Sequence, residues 1–103
     1  MTDYFIEAAL DELRQAASLA PGQARYAYVY SVGLHSSGRR DDALAVLRNG
    51  LQTHPNDRDM LSVALALSRE KGDSASALGY AERLARLMPG NREVEDLIKQ
   101  LKQ

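Results

Sequence analysis

Ser31, His35 and His54 are the side chains whose types and spacing could support catalysis or metal binding. Ser31 and His35 stand one helical turn apart, as a nucleophile and its general base would on a helix. Ser31 is expected on the packed side of that helix, however, where an attacking oxygen has no room for a substrate. His35 and His54 are 19 residues apart (54 − 35), which is not the spacing of a metal-binding pair. We therefore predict no enzyme activity, no metal site and no cofactor.

A second pattern that could do chemistry is "RYAYVY", in which Tyr26, Tyr28 and Tyr30 alternate beside Arg25. Aromatic rings beside a cation can stack on nucleobases, and strict alternation is also typical of a strand. A helix accounts better for the apolar residues around the tyrosines. In a helix of 3.6 residues per turn, Tyr26 and Tyr30 share one face and Tyr28 points the other way. We expect Tyr26 and Tyr30 in the core, Tyr28 outward, and no nucleic-acid binding.

The composition excludes several further classes of protein. Thirteen basic and 14 acidic side chains in 103 residues give a formal net charge of −1, and 45% of the residues are hydrophobic. That length allows one domain with its own core, and the charge provides no field for nucleic acid or an anionic membrane. The absence of cysteine excludes disulfides and thiolate metal sites. No apolar run approaches the roughly 18 residues that a membrane span needs, so we predict no membrane insertion.

The chain repeats itself with a period of 34 residues. Pro21, Pro55 and Pro89 are each separated by 34 residues (55 − 21 and 89 − 55). An Ala-Leu pair precedes each proline at the same distance, and Gly38 and Gly72 lie one period apart (72 − 38). Helices tend to stop before proline, and glycine opens turns, so this spacing indicates a repeated helix–turn–helix.

Between these breaks the apolar residues follow the helical period, as in the stripe formed by Met60, Val63, Ala64 and Leu67. Polar stretches that follow the prolines, "PGQAR", "PNDRD" and "PGNRE", are suited to cap the next helix. We therefore predict an all-α protein. Its six helices are expected at residues 3–19, 23–36, 41–53, 57–71, 74–88 and 91–102.

These features resemble the tetratricopeptide repeat (TPR) family, most closely in "GRRDDALAVLRNGLQTHP" and "GDSASALGYAERLARLMP". The resemblance implies an α-solenoid of antiparallel helix pairs in right-handed superhelical stacking. In that register a single domain, 1–103, contains a lone second helix (1–22), two full repeats (23–56 and 57–90) and a capping helix (91–103). In the first hairpin, Ser31 occupies the small slot, the position at which the two helices approach closely and a small side chain is needed. Leu65 stands at the equivalent position of the second hairpin, which predicts that this hairpin is slightly shifted.

The resemblance also implies a function, because the first helices of successive TPR hairpins line a groove that binds a peptide segment of a partner protein. Tyr28 and Val32 would supply apolar contacts there, and Arg25 and Arg69 would pair with carboxylates or backbone carbonyls. The carboxylate-clamp subtype is not matched, since Tyr28 and Val32 replace its polar residues. The expected groove residues are Arg25, Tyr28, Val32, His35 and Ser36 on the first row and Asp59, Ser62, Ala66, Arg69 and Glu70 on the second.

The sequence leaves four questions open. The first helix should leave part of its apolar face "YFIEAAL" uncovered, so that self-association through Phe5 or Ile6, as a homodimer, is an alternative to peptide binding. The same uncovered face suggests a part of a longer protein. Residues 28–61 also resemble repeat tails that follow multihaem cytochrome domains, which would imply a periplasmic rather than a cytoplasmic location. The residues do not identify the partner.

Overall fold

The computed structural model describes residues 2–103, and side chains from Ile6 onward, so Phe5 of the predicted uncovered face lies outside the described side chains. The chain is all-α over this range, with no strand in residues 2–103. The observed helices start and end within one residue of those predicted. They are α1 (Thr2–Leu19), α2 (Ala24–Ser36), α3 (Arg40–Thr53), α4 (Arg58–Lys71), α5 (Ser74–Leu87) and α6 (Arg92–Lys102).

The same turn closes both helix pairs. Gly38 and Gly72 have φ of 80° and 84°, a left-handed conformation that glycine adopts without a Cβ clash. In the first turn the N–H of Arg39 donates to the carbonyl of Leu34 at 2.8 Å, and in the second the N–H of Asp73 donates to Ser68 at 2.8 Å. Such bonds satisfy carbonyls at the end of a helix and reverse the chain within three residues. The partners α2–α3 and α4–α5 are therefore antiparallel pairs, as predicted.

The three prolines stand at equivalent corners. Each follows the end of a second helix by two residues, after Leu19, Thr53 and Leu87. The residue before each proline donates its backbone N–H to the carbonyl four residues earlier, at 2.9 to 3.0 Å. The 34-residue period read from the sequence is thus a period of the structure.

The helix starts differ between the first and second pairs. Asp57, Asp73 and Asn91 accept bonds from the backbone N–H groups of Met60, Ser76 and Val94, which caps α4, α5 and α6. Gln23 and Arg39, the residues before α2 and α3, make no side-chain cap. The expectation that "PGQAR" caps its helix is therefore wrong, because glutamine is too long to reach back to the first turn as the short Asp and Asn side chains do.

The chain divides into two compact units, residues 1–55 and 56–103. In the first unit α2 packs against both α1 and α3. A Cβ on Gly33 would lie 3.2 Å from Cδ2 of Leu10 and 3.3 Å from Cδ1 of Leu13, so that α1 and α2 approach closely at this glycine. Among the described residues of this unit, the buried side chains are Leu10, Ser31, Leu34, Ala43, Leu44, Leu47 and Leu51.

In the second unit α5 packs against both α4 and α6. The buried residues of the second unit all lie on α4 and α5. They are Met60, Leu61, Ala64, Leu65, Leu67, Ser68, Ala77, Ala81 and Leu84. α6 has the most one-sided sequence of the six helices, and its apolar residues Val94, Leu97, Ile98 and Leu101 are half-buried. Lys99 and Lys102 of this helix are exposed.

The small slot of the first pair moves by one helical turn in the second. Ser31 is 0% exposed beside Leu34 at 1%, whereas the positions one period later are Leu65 at 7% and Ser68 at 2%. At these two positions each first helix therefore buries one leucine and one serine, in opposite order. The exchange keeps the packed volume constant, as a close-packed core requires.

None of the helices in residues 2–103 has the length and apolar content needed to cross a membrane.

Candidate functional site

The outward face of α2 carries the first predicted row of binding residues. Val32 is 38% exposed, Arg25 and Ser36 are also exposed, and Tyr28 and His35 are half-buried. α2 turns this face outward because its opposite side holds the closely packed residues that meet α1 and α3. The structure thus brings these residues of the first unit together on one helix face.

The second predicted row lies on α4, in the second unit. Asp59, Ser62, Ala66, Arg69 and Glu70 are all exposed. They alternate with the buried residues of α4 at the helical period, so that one side of the helix is polar and the other forms the core. This row contains no large apolar side chain, and Arg69 is its cation. The apolar contacts predicted for a peptide therefore come from the α2 row alone.

Tyr26 and Tyr30 are less buried than predicted. Tyr26 is 41% exposed, so its assignment to the core is wrong, and Tyr30 is half-buried. Tyr26 lies in the first turn of α2, at the end of the helix, whereas the buried residues Ser31 and Leu34 lie in its middle and last turns. Tyr28, predicted to point outward, is half-buried.

Two of the residues that could have formed a catalytic or metal site make hydrogen bonds within the fold. Ser31 is fully buried, and its hydroxyl donates to the carbonyl of Tyr28 at 2.7 Å. Nε2 of His54 lies 3.1 Å from the carbonyl oxygen of Pro21, which links the end of α3 to the turn after α1. Among the described side chains, from Ile6 onward, no three of His, Cys, Asp or Glu cluster as metal ligands would.

Ion pairs surround the junction of α1 with the α2–α3 turn. The Arg14 guanidinium donates to Asp11 at 2.7 Å and lowers the pKa of that carboxyl, while Arg39 donates to Asp42 at 2.8 Å, which raises the pKa of Arg39. Glu7 lies 3.7 Å from Arg39. All these side chains are about half exposed, so the pairs add little stability.

A cleft in the first unit was not predicted from the sequence. It has a volume of about 380 Å³ and lies between α1, α2 and α3. The signal that could have revealed it is the repeat register, since small residues at Ala27 and Gly50 stand where the second pair has Leu61 and Leu84.

Comparison with known proteins supports the fold and not a family. No family model and no curated protein matches this chain. Among solved structures it is similar to the type III secretion translocator chaperone SycD of Yersinia enterocolitica, with a TM-score of 0.73. The fold is a TPR-like helical repeat. The match covers 98% of this chain and 70% of SycD at 16% sequence identity, so the likeness is one of architecture.

Proposed function

We propose that this chain is a non-enzymatic protein-interaction module, and that the outward row of α2 binds a peptide segment of a partner protein. The observation that carries this proposal is the exposure of Val32 beside Tyr28, on a helix face flanked by Arg25. An apolar pair next to a cation suits a segment with one or two apolar side chains and a carboxylate. The structural neighbour is itself named a translocator chaperone.

In the second unit the α4 row offers polar groups of its own. Arg69 is suited to a carboxylate or a backbone carbonyl, and Asp59 and Ser62 offer hydrogen bonds. Each buried apolar anchor contributes about 1.5 to 3 kcal/mol, so two anchors and a few polar contacts give roughly micromolar affinity at best. A helical scaffold that is already folded loses little entropy on binding.

Selection from a random peptide library displayed on phage, with the purified chain as bait, tests the proposal without a known partner. Selected peptides are then titrated against variants by fluorescence anisotropy. Tyr28→Ala should weaken binding about tenfold or more, as loss of an interface anchor does, and Arg69→Ala should weaken it less. Tyr26→Ala is the matched control, because it removes a tyrosine from another face of α2. Unchanged binding by both Tyr28→Ala and Arg69→Ala would overturn the assignment.

A second candidate function, self-association through α1, rests on a different observation. Ala9 is exposed, whereas Ala43 and Ala77, one and two periods later, are 0% exposed. Leu19, at the end of the same helix, is 84% exposed. The surface of α1 around Ala9 is therefore exposed, although the equivalent surfaces of α3 and α5 are buried. A second copy of the chain could cover this surface of α1.

Light scattering coupled to size exclusion, over a range of concentrations, tests this candidate. We expect a dimer that Ala9→Lys converts to a monomer, because a charge would then enter the contact. Ala45→Lys places the same charge on an exposed alanine of α3 and should leave the dimer intact. A wild-type chain that stays monomeric at every concentration would exclude this function.

A further inference from the structure

The cleft in the first unit is separate from the outward row of α2. Its walls come from the C-terminal half of α1, the N-terminal half of α2 and the C-terminal half of α3, and its volume is about 380 Å³. Volumes between about 300 and 1,000 Å³ are typical of sites for small ligands. Small and apolar residues form much of the lining: Ala17, Pro21, Ala27, Val46 and Gly50.

The repeat register shows why this space is open. Ala27 and Gly50 are replaced one period later by Leu61 and Leu84, which are 0% and 3% exposed in the core of the second unit. Thr53 is likewise replaced by Leu87. The same helix pair can therefore carry leucines at these positions, and the first pair has smaller side chains. An open cleft is thus a property of this sequence and not a requirement of the fold.

Among the described residues, the charged side chain that lines the cleft is a cation. Arg14 lies at its α1 side, and Asn49 and His54 lie on α3 and at its end. Among the described residues, those that line the cleft include no aspartate or glutamate. Asp11 accepts from one nitrogen of Arg14, and a guanidinium has five N–H donors in all. The bond between His54 and the carbonyl of Pro21 holds two walls together, so the cleft is formed before a ligand arrives.

We propose that this cleft binds a small apolar carboxylate. The apolar part would lie against Ala27 and Gly50, and the carboxylate would pair with Arg14. The ligand could be a free organic acid or the C-terminal residue of a peptide, since both present the same chemistry to the cleft. This inference does not rest on the function proposed for the α2 row.

The test is a titration of the ¹⁵N-labelled chain followed by NMR, with phenylacetate as the free acid and N-acetylphenylalanine as the peptide terminus. Phenylacetamide, which has nearly the same shape without the charge, is the control ligand. We expect shifts at Ala27 and Gly50, with a dissociation constant on the order of 1 mM or lower for at least one acid. The stronger of the two acids identifies the source. Equal binding of phenylacetamide, or no shifts in the cleft with either acid, would overturn the proposal.

Two variants locate the site. Ala27→Leu copies Leu61 of the second pair and should abolish binding by filling the cleft. Arg14→Gln, a change at a half-exposed side chain that does not disturb the core, should weaken binding of the acid at least about fivefold and leave phenylacetamide unaffected. Arg48→Gln is the matched control, since Arg48 lies one period after Arg14 and does not line the cleft. If Ala27→Leu fails to fold, Arg14→Gln alone decides, and an unchanged affinity there would refute the site.

Discussion

The two helix pairs share one repeat register and fill it differently. The α4–α5 pair has leucines at positions 61 and 84 in its core, and Asp57 and Asp73 cap its helices. The α2–α3 pair has Ala27 and Gly50 at the equivalent positions and no side-chain caps. The second pair thus has more features that stabilise a fold. The first pair has smaller core residues and no side-chain caps, and it carries the cleft and the exposed apolar row. Recognition in this chain is therefore expected to concentrate in the first pair.

The largest expected effect comes from exchanging leucine and alanine at the equivalent positions 61 and 27 of the two pairs. Leu61→Ala should lower the free energy of unfolding by about 2 to 5 kcal/mol, because it removes a fully buried side chain and leaves a cavity. Ala27→Leu should change it by less than about 1 kcal/mol, because the new side chain enters an open cleft. Urea denaturation followed by circular dichroism measures both. Similar losses in the two variants would show that the pairs are packed alike.

The exchange of leucine and serine between the pairs predicts a strong coupling between two positions of α2. Ser31→Leu overfills a slot that is 0% exposed, and Leu34→Ser leaves a cavity one turn away. The double variant copies the order found at Leu65 and Ser68. Its free energy of unfolding should be higher, by about 0.5 to 3 kcal/mol, than the value obtained by adding the effects of the two single substitutions. A double-mutant cycle in urea gives this coupling energy, and simple additivity would mean that the two slots are independent.

The difference in helix caps gives a smaller effect. Asp57→Ala should lower the free energy of unfolding by about 0.5 to 2 kcal/mol, because Met60 N–H loses its acceptor. Gln23→Asp should stabilise the chain, by up to about 1 kcal/mol, since residue 23 has the extended backbone that a cap requires (φ −102°, ψ 95°). Gln23→Glu is the matched control, as it adds the same charge on a side chain that is too long to cap. Thermal unfolding compares these variants, and equal gains from Asp and Glu would assign the effect to charge alone.

The sequence predicted the helices and the turns well because both depend on local patterns. Prolines, the glycines at 38 and 72 and the helical stripe set the helix bounds to within one residue. Burial at the ends of helices was harder to predict, as Tyr26 shows, because it depends on how far a neighbouring helix extends. The cleft was not predicted because the helical spacing of apolar residues shows which residues are apolar. It does not show whether these residues are large enough to fill the space between three helices.

The same limit applies to the binding rows. The helical period was enough to group Tyr28 with Val32 and to separate them from Ser31 and Leu34. It could not give the half-burial of Tyr28, which depends on side-chain packing around α2. The groove residues therefore remain a proposal, and the variants of Tyr28 and Arg69 described above are its test.

The smallest expected effect concerns the cap of α5. The hydroxyl of Ser76 donates to Asp73 at 2.7 Å and its backbone N–H donates at 3.1 Å, and these two bonds lower the pKa of the Asp73 carboxyl below its ordinary value of 3.8. When the pKa of a carboxyl is lower in the folded state than in the unfolded state, the carboxyl stabilises the fold at pH values above its pKa in the unfolded state. This contribution is lost as the pH falls through its pKa in the folded state. Stability should therefore decrease below about pH 3.8 more steeply in the wild type than in Asp73→Asn.

Ser76→Ala separates the two bonds that hold this carboxylate. It removes the hydroxyl and keeps the backbone N–H, so the pKa of Asp73 should return part of the way towards 3.8. Titration of the ¹³C-labelled carboxyl by NMR measures this pKa directly. Ser74→Ala, on the first residue of α5, removes a hydroxyl that does not bond to Asp73 and serves as the control. If the pKa of Asp73 is the same in Ser76→Ala as in the wild type, the side-chain bond is not its main cause, and the cap of α5 acts through the backbone alone.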